Sequence, residues 1–287
     1  MSPSPHVVGR GASPFPPVTI RDLREEDGPA LLAYLERLPV EDRRLRFFGS
    51  RVLTDQVAFC LELPASGGVV LVAMQADGDD DERCVGEACL VPRPDGTDDF
   101  ALSVEVEVRG GTGTALFTEL RRRAAARGRV AVRGDVLPHN RAMLRLLRHR
   151  GGVTIDREDD EQVAIIVGTT EAAPGWPASE NDGPRVLIEA TGARWAGERA
   201  LREHGAQVAV CGGPTGRVPE DPCPLLVGRR CPLVDGADVI VHLLAASEPA
   251  HRRIAAALPV DGPAVFVAPH DEARLEVAEV LAVEQAW

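Results

Sequence analysis

Val104-Glu-Val-Glu-Val-Arg-Gly-Gly-Thr-Gly-Thr-Ala-Leu-Phe117 is an alternating run that enters glycines and passes straight into helical spacing. The alternation predicts a strand over Phe100 to Val108, and the spacing beyond the glycines predicts a helix over Thr112 to Arg127. Glycines at such a junction let the backbone approach a bulky anion. The first amides of the helix then offer unpaired donors at the positive end of its dipole. A tight strand-to-helix connection needs glycines too, so the motif by itself does not separate phosphate binding from plain connection.

Outward from this junction the chain alternates strand and helix signals. Val18 to Leu23 reads as a first strand and Glu25 to Leu38 as a helix carrying Leu31, Leu32, Leu35 and Leu38 on one side. Arg43 to Phe48 and Thr54 to Leu63 read as helices, the second with Thr54 as N-cap. Val69 to Met74 and Cys84 to Pro92 read as strands around the acidic run Asp77 to Glu82, a solvated hairpin loop. After the central junction come a strand at Val130 to Val136, a helix at Asn140 to Arg150, and strands at Val153 to Ile155 and Gln162 to Val167.

Residues 1–17, rich in Pro, Ser and Gly, read as a disordered lead-in, and residues 169–184 as a linker with no periodicity. Beyond it, apolar runs at Val186 to Glu189, Val208 to Cys211, Val239 to Leu243 and Val265 to Val267 alternate with helix-like stretches near 195–204, 248–258 and 271–284. That pattern predicts βαβ units on a parallel sheet. Two α/β domains are expected: a mixed-sheet domain over 18–168 and a smaller Rossmann-like one over 185–287.

Four stretches resemble the GNAT superfamily of N-acyltransferases, in particular the acetyltransferase domain of bacterial protein-lysine acetyltransferases. They are Val40-Glu-Asp-Arg-Arg-Leu-Arg-Phe-Phe-Gly49, Asp99-Phe-Ala-Leu102, Arg109-Gly-Gly-Thr-Gly-Thr-Ala-Leu116 and Val136-Leu-Pro-His-Asn-Arg-Ala-Met-Leu-Arg-Leu-Leu147. The resemblance implies a strand splayed from its neighbour, with acyl-CoA in the cleft. It implies a cofactor site at Val104, Val106, Arg109, Gly110, Gly111, Thr112, Gly113, Thr114 and Asn140. Asp99 stands where that subgroup carries a glutamate, the expected general base, and Glu105 and Glu107 are its rivals on the strand. Arg46, Phe47 and Phe48 are expected at the acceptor mouth. The loop is one residue shorter than the family pattern between Arg109 and Gly111, and Leu147 stands where many members place a tyrosine. The implied reaction is transfer of an acetyl or other short acyl group from acetyl-CoA or another acyl-CoA to a primary amine, a small molecule or a protein lysine. An acyl-CoA sensor that has lost turnover is the alternative.

Composition narrows the partners. The formal charge is −12, which repels phosphate backbones and disfavours nucleic acid while favouring a cationic acceptor. All 32 basic residues are arginine, so the protein has no lysine side chain to acylate. No apolar run reaches the roughly 18 residues of a membrane span, and MSPSPHVVGRGASPFPP lacks the order of a signal peptide. A cytoplasmic protein is expected, with Cys60, Cys84, Cys89, Cys211, Cys223 and Cys231 as reduced thiols. Cys-Pro-Leu recurs at 223 and 231, but the cysteine spacing fits no common zinc pattern, and no metal is expected. Ala190-Thr-Gly-Ala-Arg-Trp-Ala-Gly197 reads as an ordinary strand-to-helix loop.

Overall fold

The computed structural model describes residues 6–8, 17–76, 81–109, 111–158, 162–170, 172–177, 182–190, 197–244, 248–258 and 263–267. Gly110, most of the lead-in, residues 77–80 of the acidic run, residues 191–196 and the helix expected near 271–284 lie outside these. The chain packs as two units, Met1–Gly134 and Asp135–Trp287.

In the first unit the elements are β1 (His6–Val8), β2 (Val18–Asp22), α1 (Gly28–Arg37), α2 (Val40–Phe47), α3 (Leu53–Glu62), β3 (Val69–Ala76), β4 (Glu82–Pro92), β5 (Asp98–Val104), α4 (Thr112–Ala126) and the larger part of β6 (Ala131–Val136). Strands β1 to β5 pair antiparallel in sequence order. Parallel pairing of β5 with β6 runs through Asp98–Val132 and Asp99–Arg133. Among the described residues no further pairs follow, so the two strands part from Phe100 onward.

Alternation along β5 sorts its side chains. Asp98, Phe100, Leu102 and Val104 are buried, while Asp99, Ala101 and Ser103 are partly exposed on the other face. Phe100 meets Phe117 of α4 with ring centroids 4.9 Å apart. A Cβ on Gly134 would lie 2.5 Å from the Phe100 ring, so β6 needs glycine there. Leu31, Tyr34, Leu35 and Leu38 of α1 with Val57 and Cys60 of α3 form the core of the opposite face against Val70, Val72, Cys84 and Cys89. Burying such side chains stabilises by about 1.5–3 kcal/mol each.

Three local expectations change. The strand expected to reach Val108 ends at Val104, and residues Val106–Val108 form a 3-10 turn. The Glu105 amide donates to the Val85 carbonyl at 2.9 Å, which closes the strand's last link with β4 before the chain turns. The second expected helix begins three residues earlier, at Val40. Helix α3 begins at Leu53 behind Val52, without a side-chain cap, so Thr54 lies inside it.

The second unit contains α5 (Arg141–His149), β7 (Val153–Glu158), β8 (Gln162–Gly168), β9 (Arg185–Glu189), α6 (Gly197–Glu203), β10 (Gln207–Cys211), α7 (Pro232–Asp235), β11 (Val239–His242), α8 (Pro249–Ala257) and β12 (Ala264–Val267). Four strands are parallel in the order β10-β9-β11-β12. The free edge of β10 takes β7 antiparallel through Thr154–Val210 and Val153–Cys211, and β7 pairs with β8. Val153 and Ile166 therefore share one core with Leu187, Ala209, Leu233 and Ile240. The packing does not divide at 169–184: within that stretch the Trp176 indole donates to the Leu233 carbonyl at 2.8 Å.

Candidate functional site

The parting of β5 from β6 leads to the turn at Glu105–Gly111 and the start of α4. Gly111 is the N-cap residue of α4, with no side-chain cap hydrogen bond. A glycine there supplies no oxygen to the first-turn amides, which have no carbonyl partner inside the helix. Its φ of −164° is extended backbone that any residue adopts, and a Cβ on it would meet nothing within 4 Å. A Cβ on Gly113 would make only an ordinary 3.7 Å contact with Val104. Neither glycine is required by the fold. Thr112 is buried and Thr114 exposed, while Val104 lines the turn from below and Val106 is 52% exposed.

Arg109 is not directed freely at the turn. Its Nη2 lies 2.7 Å from Oδ1 of Asp42 on α2. Glu105 is clamped: Arg37 Nε donates to Oε1 at 2.9 Å and Arg83 Nη1 to Oε2 at 2.8 Å. Both its oxygens are committed, and Glu107 lies in the 3-10 turn rather than on the strand.

Asp99 lies at the opposite end of β5 and is its last residue paired with β6, opposite Arg133. Arg93 Nη1 donates to its Oδ2 at 3.0 Å. Its Oδ1 is buried with no hydrogen-bond partner among the described residues, although the side chain as a whole is 38% exposed. One oxygen is thus held and the other left over.

On the same face, a chain of polar groups crosses the sheet beneath α2. The Tyr34 hydroxyl donates to Ser103 Oγ, and Ser103 Oγ donates to Glu87 Oε1, both at 2.8 Å. Arg46 Nε donates to Glu87 Oε1 at 2.7 Å and its Nη2 to Oε2 at 3.2 Å. Burial works against the Arg46 cation, yet the pairing with Glu87 more than offsets this, so the Arg46 pKa is raised. Burial, reinforced by Glu87, raises the Tyr34 phenol well above its ordinary value. Burial also pushes the Cys60 and Cys84 thiols up to about 12.

Arg46, expected at the acceptor mouth, therefore points inward to Glu87. Phe47 packs partly on the core, and Phe48 is 41% exposed. Phe48 ends α2 with φ +58°, the one non-glycine residue with positive φ among those described. Glu87 and Ser103 were not among the expected site residues. The signal for Glu87 was present: it is the single charge inside the apolar run Cys84 to Leu90.

In the second unit Asn140 caps α5, its Oδ1 accepting from the Met143 amide at 3.1 Å. Glu189 and His242 end adjacent parallel strands and meet at 2.7 Å, Oε2 to Nδ1, both buried. Cys211, Cys223 and Cys231 line one cavity with Glu189, Arg217 and Leu233. Among the described residues no group of three or more His, Cys, Asp and Glu side chains could hold a metal ion. No described helix is long and apolar enough to cross a membrane.

No family model matches the chain, and no curated protein matches it. The solved structures similar to it include GNAT acetyltransferases, over about half its length. The GNAT domain of S. lividans PAT is 20% identical with a TM-score of 0.47, covering 53% of this chain and 90% of that one. A ribosomal-protein-S5-alanine acetyltransferase from Vibrio fischeri is 11% identical with a TM-score of 0.43, covering 59% and 100%. A GCN5-related N-acetyltransferase from Kribbella flavida is 22% identical with a TM-score of 0.42, covering 52% and 95%.

Proposed function

We propose that residues 18–168 form an acyl-CoA-dependent N-acetyltransferase acting on a primary amine, a small molecule or a protein lysine. The observation that carries this reading is the start of α4, where Gly111 leaves open space at a helix N-terminus that no side chain caps. That cradle fits a pyrophosphate, which would accept from the amides of Gly111, Thr112, Gly113 and Thr114. Five residues at a rise of about 3.3 Å set Asp99 about 16 Å from Val104, a span comparable to an extended pantetheine arm. A pyrophosphate at the turn therefore brings the thioester to the Asp99 end of the opened strand pair.

An ammonium has no lone pair, so the acceptor must lose a proton before it attacks the thioester carbonyl. The unpartnered Oδ1 of Asp99 is the group to take it, directly or through one water, while Arg93 holds Oδ2. The nitrogen–carbon bond forms, the carbon–sulfur bond breaks, and CoA leaves as a thiolate that water protonates. Residues 185–287, whose strands β9 to β12 pair in parallel, are a Rossmann-like accessory to this chemistry. One observation favours the sensor alternative: Arg109, Glu105 and Asp99 each hold an ion pair within the protein.

Calorimetry with acetyl-CoA on the parent and on Gly111→Val tests the cradle. Because the fold leaves Gly111 open, the variant should stay folded yet bind at least tenfold more weakly, about 1.4 kcal/mol. Equal affinities would remove the assignment.

A further inference from the structure

Helix α2 has no buried residue, although it lies against β5 and carries the exposed Phe48 at its end. An eight-residue helix without a buried apolar stripe is held by other means. Two ion pairs supply them, one at each end. Near the C-terminal end Arg46 is paired with the buried Glu87. Near the N-terminal end Asp42, its side chain 15% exposed, takes the Arg109 guanidinium at 2.7 Å.

Arg109 is also the one cation on the turn that leads to the uncapped start of α4. It cannot give its full charge to Asp42 and to an incoming pyrophosphate at once. We infer that Asp42 competes with the pyrophosphate of acyl-CoA for Arg109, so that seating acyl-CoA releases the N-terminal end of α2. This rests on the reading of the turn as the pyrophosphate site. The Arg46–Glu87 pair is out of reach of the anion and keeps the other end in place, so α2 pivots rather than detaches. Asp42 is a positioning residue that lowers acyl-CoA affinity.

The competition fixes a sign that an orienting role for Asp42 would reverse. Acetyl-CoA is titrated calorimetrically into the parent, Asp42→Asn and Glu41→Gln, at low and at physiological ionic strength, with urea unfolding of each to confirm the fold. Asp42→Asn should bind about twofold to fivefold more tightly than the parent, the scale of a partly exposed ion pair, and the gain should shrink with salt. Glu41→Gln removes an exposed acid one residue away and should gain less than half as much. If Asp42→Asn binds equally or more weakly, or if Glu41→Gln gains as much, the competition is overturned while the pyrophosphate reading stands on Gly111→Val. A parent that binds no acetyl-CoA overturns both.

Discussion

Gly111 and Asp99 are each under-used by the fold that surrounds them. The first has room for a side chain and a backbone that any residue adopts. The second keeps a buried oxygen without a partner while its twin is held by Arg93. A buried acceptor without a hydrogen bond costs about 1–3 kcal/mol, so its persistence points to a partner arriving from solution. Asp99→Asn keeps volume and polarity but cannot accept the ammonium proton. Turnover should fall by about 10²-fold or more, and acetyl-CoA affinity should stay within about threefold. Raising the pH should restore part of the rate, because more of the amine arrives already deprotonated. Steady-state rates across pH, with calorimetry alongside, check both halves; a loss of affinity equal to the loss of rate would make Asp99 a binding residue. Phe48 is a further residue-scale oddity, an aromatic side chain in the left-handed region at a cost of about 1–2 kcal/mol.

Among the elements, α4 and β5 were readable because their patterns are local. Thr112 opens the helix as its spacing predicts, and Ala126 closes it one residue early. The end of β5 was not readable. Val104-Glu-Val-Glu-Val108 alternates well enough to be strand, and what fixes Glu105 is a pair of arginines at 37 and 83, distant in sequence. Helix α2 failed differently, since without an apolar stripe nothing in its sequence says which side faces the sheet. Arg46 consequently read as a mouth residue, when its partner is Glu87, 41 residues away. Breaking a buried pair by removing one partner leaves the other charge stranded, which costs about 3–5 kcal/mol. Arg46→Ala should lower stability on that scale in urea unfolding, whereas the exposed Arg44→Ala should change it by about 0.5 kcal/mol or less. Equal effects would mean that Glu87 finds other partners and that α2 is not anchored through it.

At the scale of the molecule, the stretch 169–184 shows the polar, proline-rich composition of a linker, and no periodicity contradicts that reading. The packing crosses it because β10 has a free edge that β7 fills, and an edge pairing of that kind leaves no mark on the intervening sequence. A fragment ending at Gly183 should therefore expose Val153 and Ile166, which share a core with Leu187, Ala209 and Leu233. It should aggregate or melt well below the full chain; a fragment as soluble and as stable as the parent would show that the shared core contributes little. Transfer of an acyl group from acyl-CoA to an amine at the Asp99 end of β5 is tested by the release of CoA thiol from acetyl-CoA by the 287-residue chain, followed continuously as a panel of primary amines and a lysine-bearing peptide is added. Thiol release should depend on protein and amine together and rise with pH. Tight acetyl-CoA binding with no amine-dependent thiol release would contradict it and leave the molecule a sensor.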